Sequence, residues 1–437
     1  MLSFLVLILI GTCLLILPIS SKTNQSVGFL NSLFTATTSS CVTGLVTVPT
    51  VSTWSIFGQI VILLLIQIGG LGVITSIAGI SIILQKKFGL SDVMLLQDTL
   101  NLNTMSGLSN FIKKVVLGTF IIEGLGAILY MTVFIPEFGI RGVWISIFTS
   151  VSAFCNAGID IISENSLCNY ISNPVVNITT CLLIILSGLG YIVWWDVINL
   201  FKNRKNKKIK FRNLTLHSKI VLSATAMLVV VGTILIFIFE YNNPSTIQNL
   251  SLFDKVQASL FQSVTTRTAG FFTIPQENFT NASALLCLLL MFIGGSPVGT
   301  AGGVKTVTMV VLFAVAFAII RNKEQTNLFN RTISKQVIRK SIAVVCMSFL
   351  IVFISTMLLS LNTNASLLDV MYETVSAGAT VGLSRNLTSS LNEIGKLIVI
   401  ATMYFGRIGP ISLAIAFNMK RENKNIIKNP IEEISVG

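Results

Sequence analysis

Long apolar stretches alternate with short amphipathic segments along the whole chain. Several approach or exceed the ~20 residues that a helix needs to cross a bilayer, and examples are 54–84, 174–201, 218–239, 282–320 and 391–419. Residues 1–21 are also apolar, and we interpret them as a first span because no Lys or Arg precedes them, unlike in a signal peptide. The amphipathic segments are too short to cross, and they cover roughly 26–39, 141–153, 253–265 and 366–377. The pattern predicts an all-α integral membrane protein.

This alternation occurs four times in register. Four Ser/Thr-rich segments, TATTSSCVTGL, TSVSAFCNAGI, FQSVTTRTAGF and TVSAGATVGL, contain Gly44, Gly158, Gly270 and Gly382, which are separated by 114, 112 and 112 residues. Each glycine is followed, deep in the next apolar stretch, by a small or glycine-rich site. The sequence therefore predicts four tandem span–pore helix–span repeats around a pseudo-fourfold central pore. We place them at 1–86, 87–203, 204–322 and 323–437, the last with a cytoplasmic tail.

Composition and charge support a membrane protein and set its orientation. The chain is 53% hydrophobic and 11% charged, with a net charge of +13. Of its 30 Lys and Arg residues, 22 lie in the alternate segments 86–114, 202–219, 321–340 and 420–428. This is the positive-inside distribution, so it indicates topology rather than nucleic-acid binding. We expect a multi-pass protein of the cell membrane with cytoplasmic N- and C-termini.

The short helices are expected to dip into the membrane from outside and to return as strands. Non-helical backbone survives at this depth only when it lines a cavity or is buried in protein. A filter for dehydrated cations needs stacked backbone carbonyls, and glycine supplies the positive φ of such strands. The alternative, that these glycines only let helices pack closely, does not explain four glycines in register. The predicted filter strands, with the cation held at their glycines, are Cys41, Val42, Thr43 and Gly44; Cys155, Asn156, Ala157 and Gly158; Arg267, Thr268, Ala269 and Gly270; and Ala379, Thr380, Val381 and Gly382.

The second long stretch of the third repeat contains a run that a helix would not tolerate. Glycine and proline destabilise helix interiors, and this run holds Gly294, Gly295, Ser296, Pro297, Gly299, Gly302 and Gly303. We expect a loop just below the filter that gates permeation. Lys305 would anchor it or, alternatively, extend to the cytoplasmic face. Arg407, the other basic residue inside an apolar stretch, would hold the loop carbonyls or pair with Glu123.

Other side chains offer little chemistry. The seven Cys residues form no CxxC pair, and His217 is the only histidine. This composition argues against a metal site, a cofactor in this chain, or an enzyme. Asp196 is interpreted as solvated near a cytoplasmic end. Loop solvation is the simpler interpretation for the acidic residues expected at the outer mouth, although they would also attract cations: Asp160, Glu164, Asp254, Glu277, Asp369 and Glu373.

The chain resembles the Trk/Ktr/HKT superfamily of K⁺ transporters, and within it the KtrB-type membrane subunits of bacterial Ktr systems. The resemblance covers essentially the whole chain and rests on CVTGL, CNAGID, TRTAGF, ATVGL, GGSPVGTAGGVKT and GRIGP. It implies K⁺ as the substrate, and glycine rather than serine at Gly44 implies K⁺ over Na⁺. It also implies a homodimer whose subunits each have a pore, and a cytosolic KtrA-like regulatory ring that carries the nucleotide.

Two other classes of function are alternatives to a channel-like K⁺ translocator. A carrier-type secondary cation symporter would favour inverted repeats, whereas two full spans in each repeat give all four the same orientation. A membrane enzyme would need clustered acid–base or metal-binding residues. K⁺ transport alone and transport coupled to Na⁺ or H⁺ are both compatible with these motifs.

Overall fold

The computed structural model describes residues 2–73, 75–76, 78, 108–202 and 211–409. These residues form helices joined by short loops, and the helices fall into four groups along the chain. The first group comprises α1 Leu2–Leu15, α2 Phe29–Cys41, the single turn α3 Thr50–Thr53 and α4 Ile56–Leu71; the second comprises α5 Leu108–Phe138, α6 Arg141–Cys155, α7 Pro174–Leu189 and α8 Tyr191–Lys202; the third comprises α9 Leu216–Glu240, α10 Leu252–Thr265, α11 Asn281–Phe292 and α12 Thr306–Ile320; the fourth comprises α13 Lys335–Ser360, α14 Leu367–Ala379 and α15 Glu393–Ile408.

The remaining regular structure lies in the connections. A two-stranded antiparallel hairpin, β1 Asn327–Leu328 and β2 Arg331–Thr332, joins the third group to the fourth. Five short 3₁₀ turns occupy Pro18–Ser20, Cys168–Tyr170, Phe211–Asn213, Gln276–Asn278 and Thr388–Ser390. The predicted repeat boundaries at 86/87 and 203/204 lie outside the described residues, as do Pro410 of the GRIGP motif and the basic segment 420–428.

Local sequence explains where the helices start. Eight of them follow a Ser, Thr or Asn whose side chain accepts a backbone N–H from the first turn, which satisfies a donor that the helix leaves free. Ser251 and Ser366 each make a second capping bond. Their hydroxyls also donate to an aspartate three residues later, Asp254 at 2.8 Å and Asp369 at 2.6 Å. These caps fix the starts of the short helices α10 and α14.

Three described helices are long and apolar enough to cross a membrane. They are α9, α13 and the part of α5 that covers Asn110–Phe138. A fourth span results if α7 and α8, which are bent by 95° at Gly190, are counted together. The apolar stretch 174–201 is therefore not one straight helix, because Gly190 adopts φ 84° and ends α7. Gly72 and Gly409 end α4 and α15 in the same way, with φ 85° and 84°.

The four groups contact one another in a closed cycle. In each group the helix after the short helix packs against the short helix of the next group: α4 on α6, α7 on α10, α11 on α14, and finally α15 on α2. The short helices consequently lie at the centre and bury polar residues, such as Thr37, Thr38 and Ser39 of α2. The long helices expose apolar side chains outward, such as Leu117 and Phe120 of α5, as expected for a surface in contact with lipid.

The glycine strands and the loop beneath them

Each short helix is followed by a strand with the same backbone conformation. The residue two positions before the glycine is left-handed in all four, with φ values of 55°, 60°, 70° and 52° at Val42, Asn156, Thr268 and Thr380. Such φ values are uncommon for residues other than glycine, and most of all for a β-branched valine or threonine. Their repetition in register shows that one backbone path is imposed four times. Cys41, Cys155 and Ala379 are the last residues of their helices, whereas Arg267 follows α10 by two residues.

The four glycines meet around a common centre. A Cβ on Gly44 would lie 2.4 Å from the carbonyl oxygen of Ala157, and one on Gly158 would lie 2.5 Å from that of Ala269. The series continues from Gly270 to the oxygen of Val381 at 2.6 Å and from Gly382 to that of Thr43 at 2.3 Å. Each glycine thus lies against the backbone carbonyl of the residue just before the glycine of the next strand. The fourth strand contacts the first strand in the same way. Any side chain here would clash with backbone, so these positions require glycine on packing grounds as well as by their positive φ.

Hydroxyl groups of the short helices fasten the strands. Thr38 Oγ1 accepts the N–H of Gly44 at 2.9 Å, and Ser376 Oγ accepts that of Gly382 at 3.0 Å. In the second strand Ser152 Oγ accepts the N–H of Ile159, one residue further, at 3.1 Å. The third strand differs, since Thr265 donates its hydroxyl to the carbonyl of Phe271. The Ser/Thr content of the four motifs therefore serves to hold the strands to their helices.

Between α11 and α12, residues 293–305 form the loop that the sequence predicts. Its two ends are paired, because Gly294 N–H donates to Val304 O and Thr306 N–H donates to Gly295 O, both at 2.9 Å. Val298 is left-handed at the loop tip, with φ 60°. We call this segment the loop.

The loop enters the bend between α7 and α8. Ser296 N–H donates to Gly188 O at 2.9 Å, and Tyr191 N–H donates to Val298 O at 3.0 Å. A Cβ on Gly190 would lie 2.6 Å from Pro297 O, so glycine is needed for this close approach. The sequence pattern predicts a small or glycine-rich site in this apolar stretch, but it does not indicate that the loop docks there.

The loop also contacts the inner ends of two strands. Asn156 Nδ2 donates to Thr300 Oγ1 at 3.1 Å, and Thr300 donates to Phe154 O at 3.2 Å. A Cβ on Gly302 would lie only 1.9 Å from Thr380 Oγ1. The loop therefore lies directly below the glycine ring, at the end where the left-handed residues are.

Arg407, near the end of α15, joins the loop to the first group of helices. Its Nη1 donates to Thr300 O at 2.7 Å, and its Nη2 donates to Gly69 O and, at 3.5 Å, to Gly70 O. Of the two predicted partners, the structure thus shows the loop carbonyl. Lys305 turns back on the loop and donates to Ala301 O at 2.6 Å rather than extending away from it.

Glu123 lies near this cluster and has other partners. Its carboxylate accepts from Gln67 Nε2 at 3.3 Å and from Cys155 Sγ at 3.8 Å. The ion pair found among the described residues is elsewhere, between Arg385 and Asp369 at 2.7 Å. The predicted alternative of an Arg407–Glu123 pair is therefore not what the structure shows.

Comparison with known proteins identifies the family. The model of the family described as "TrkH: Cation transport protein" matches residues 2–429. The chain belongs to this TrkH family of cation transport proteins. Its relatives include the Ktr system potassium uptake protein B of Bacillus subtilis, 39% identical over 99% of this chain and 95% of the relative. The potassium/sodium uptake protein NtpJ of Enterococcus hirae is 36% identical over 99% and 95%.

Further comparisons agree with this assignment. The Ktr system potassium uptake protein B of Vibrio alginolyticus is 35% identical over 100% of this chain and 94% of the relative. The crystal structure of the potassium transporter TrkH from Vibrio parahaemolyticus superimposes with a TM-score of 0.74, covering 95% of this chain and 84% of that one. At 16% identity the latter shows a shared fold. The predicted membership of the Trk/Ktr superfamily is confirmed, as is the resemblance to Ktr system proteins.

In this TrkH-family chain a cavity of about 250 Å³ lies on the other side of the glycine ring from the loop. All four glycines line it, together with Asp160, Glu164 and Glu277, and we call it the vestibule. Asp160 is half-buried, and burial raises the pKa of its carboxyl to about 6, even though the N–H of Ile162 donates to it. The vestibule can therefore carry negative charge next to the ring.

Glu373 differs from its interpretation as a solvated loop group, whereas Asp369 and Asp196 are partly exposed but have specific partners. Glu373 is fully buried in α14 and accepts hydroxyl hydrogen bonds from Ser384 at 2.6 Å and Thr388 at 2.5 Å. Asp369 pairs with Arg385. Asp196 accepts both the N–H and the hydroxyl of Thr215, at 2.9 and 2.8 Å. These roles depend on partners that the linear sequence does not identify.

Proposed function

We propose that the protein takes up K⁺ across the cell membrane through the four glycine strands, which act as a carbonyl-lined selectivity filter. The observation that carries this proposal is a closed series of contacts. Each glycine lies against the carbonyl of the residue just before the glycine of the next strand. Carbonyl oxygens arranged around a narrow axis can replace the hydration shell of a cation. The relatives support K⁺ as the substrate, since two are Ktr system potassium uptake proteins.

The electrostatics of the site also favour a cation. All four short helices end at the strands, so the partial negative charge of each helix C-terminus lies near the ring. On the vestibule side, Asp160, Glu164 and Glu277 add carboxylates. K⁺ would enter from the vestibule, lose its water in the filter and leave past the loop. The chain itself holds no cofactor in this mechanism, and K⁺ is its substrate.

The loop is proposed to be an intramembrane gate. It lies below the ring, where a cation leaving the filter would meet it, and Arg407 ties it to α4 on the far side. Backbone hydrogen bonds to Gly188 and Tyr191 and the Lys305–Ala301 contact hold it elsewhere. These are discrete bonds that can break together, so the loop can have a held and a released position.

Release of the gate is proposed to come from a cytosolic partner. By its likeness to Ktr system proteins the chain would form a homodimer and dock on a KtrA-like ring that binds the nucleotide. A partner that pulls on the inner helices would draw α15 and Arg407 away from the loop. Coupling to Na⁺ is a further proposal, supported by the relative that is a potassium/sodium uptake protein.

Deleting Val298–Thr300 tests the gate. The deletion removes the carbonyl that Arg407 binds and the one that Tyr191 binds. K⁺ uptake is measured in bacteria deficient in K⁺ transport, with and without the cytosolic partner and external Na⁺. We expect partner-free uptake to rise about tenfold, the change that ~1.4 kcal/mol of lost holding energy gives.

The control is a deletion of equal length, Asn24–Ser26, in an exposed segment between α1 and α2, which should leave uptake low without the partner. If the loop deletion reaches the membrane in normal amounts but uptake stays low and fully dependent on the partner, the loop is not the gate. If neither the wild type with its partner nor any variant transports K⁺, the proposed substrate is contradicted.

A further inference from the structure

Asn156 in the second strand combines a left-handed backbone with a buried, hydrogen-bonded side chain. It is the left-handed residue before Ala157 and Gly158, with φ 60°, and its side chain is buried. Its amide nitrogen donates to Thr300 Oγ1 at 3.1 Å, and its amide oxygen accepts from Ser187 Oγ at 3.3 Å. A side chain of the filter is thus bonded both to the loop and to α7, just before the bend that receives the loop.

Thr300 is the matching residue on the loop. Its hydroxyl accepts from Asn156 and donates to Phe154 O, at the end of α6, at 3.2 Å. Its backbone carbonyl accepts from Arg407 at 2.7 Å. One buried loop residue therefore carries the bond that holds the loop and the bonds that reach the filter strand. If Arg407 releases the carbonyl and the loop moves, the Asn156 amide loses its partner in the same step.

The backbone conformation of Asn156 determines the direction of a carbonyl in the glycine ring. A left-handed conformation is strained for residues other than glycine, though least for asparagine, and the side-chain hydrogen bonds of Asn156 help to hold it here. The next residue, Ala157, supplies the carbonyl that faces Gly44. A change of φ or ψ at Asn156 would therefore tilt a carbonyl that belongs to the ring.

We propose that Asn156 is a positioning residue that couples the loop to the filter through Thr300, so that the state of the loop sets the geometry of the ring and with it the preference for K⁺ over Na⁺. This inference rests on the proposed function. It adds that gate and filter are one coupled device rather than two independent barriers.

Two substitutions separate this coupling from local damage. Asn156→Gly removes the side chain, and glycine accepts the positive φ. Thr300→Val removes only the hydroxyl and leaves the carbonyl that Arg407 binds. Both substitutions remove the Asn156–Thr300 hydrogen bond, and each also removes one further bond, to Ser187 or to Phe154. Each should raise partner-free K⁺ uptake about fivefold, as expected for the loss of the buried hydrogen bond that they share. Each should also lower the ratio of K⁺ to Na⁺ uptake, although Thr300 is not part of the filter.

The double variant and two controls complete the experiment. Because both residues act through one contact, Asn156→Gly with Thr300→Val should give the fivefold change of either single variant rather than their product. Thr300→Ser keeps the hydroxyl and should restore wild-type uptake and selectivity. Thr233→Val is a matched control, since that hydroxyl donates within its own helix, to Val229 O at 2.7 Å.

The outcomes are distinct. A normal K⁺/Na⁺ ratio in Thr300→Val, or effects of the two substitutions that multiply, would overturn the coupling. If deleting Val298–Thr300 raises uptake while Asn156→Gly and Thr300→Val do not, the loop gates but Asn156 does not couple it to the filter. If the deletion too leaves uptake low, the proposed gate fails and the coupling fails with it.

Discussion

A Cβ placed on Gly382 would lie 2.3 Å from the carbonyl oxygen of Thr43, 339 positions earlier in the chain. This approach brings the fourth strand onto the first and closes the cycle of contacts. It is matched by the packing of α15 on α2, which closes the surrounding ring of helices. Two independent sets of contacts thus describe the same cyclic arrangement.

Gly44→Ser should weaken discrimination between K⁺ and Na⁺. Serine would have to accept φ 98° and place its Cβ against Ala157 O, a strain of about 1–3 kcal/mol that the ring would relieve by moving. We expect the ratio of K⁺ to Na⁺ uptake to fall about tenfold. Gly28→Ser is the matched control, because Gly28 has φ 91° but open space around it. Equal selectivity in the two variants would argue against the filter assignment.

Arg407→Gln should release the loop. Glutamine cannot span the carbonyls of Thr300 and Gly69 as the guanidinium does, so partner-free K⁺ uptake should rise about tenfold. Arg407→Lys keeps the charge but not the forked donors and should give an intermediate rise. Uptake is normalised to the amount of protein in the membrane. Wild-type dependence on the partner in Arg407→Gln would show that this residue does not hold the gate.

Asp160 should make uptake sensitive to external pH. Burial raises the pKa of its carboxyl to about 6, so the carboxylate is charged at pH 7.5 and becomes neutral as the pH falls through 6. Loss of this charge lowers the local K⁺ concentration in the vestibule, and KM for K⁺ should rise about two- to threefold at pH 5, the effect of weakening one screened charge interaction. Asp160→Asn should have the raised KM at pH 7.5. A wild-type pH response in that variant would assign the effect to other groups.

Arg385→Ala should destabilise the fold. Arg385, just after the fourth glycine strand, pairs with Asp369 at 2.7 Å. It also donates to Gln276 O at 2.9 Å, and this bond connects it to the third group of helices. Both ionic side chains are partly exposed, so we expect a loss of about 1–2 kcal/mol rather than that of a fully buried pair. Thermal unfolding in detergent measures it, with exposed Arg331→Ala as the control. Equal midpoints for the two variants would contradict the structural role.

Sequence alone predicted the features that depend on local chemistry. The four glycines were found by register. The short helix at 141–155 was predicted to begin at its observed first residue, and the one at 252–265 to end at its observed last residue. The loop at 293–305 followed from glycine and proline, because these residues disfavour a helix wherever they occur.

Features that depend on distant partners were missed. The Asn156–Thr300 bond joins residues 144 positions apart, and although Asn156 was predicted as a filter residue, no local pattern indicates that it meets Thr300. The bend at Gly190 was not predicted, because an apolar stretch with two glycines, Gly188 and Gly190, is also compatible with a straight helix. Glu373 was interpreted as a surface residue because a carboxylate is usually exposed, but Ser384 and Thr388 supply its hydrogen bonds after folding.

Selective permeation through the glycine ring is best tested on purified protein in liposomes that carry both K⁺ and Na⁺ gradients. The reversal potential, measured for the wild type and for the variant with Val298–Thr300 deleted, reports selectivity separately from rate. We predict a potential close to that of K⁺ in the wild type, and a shift toward the Na⁺ potential when Gly44→Ser is added to either protein. Equal permeation of K⁺ and Na⁺ in the wild type, or a reversal potential that Gly44→Ser leaves unchanged, would contradict the proposed filter.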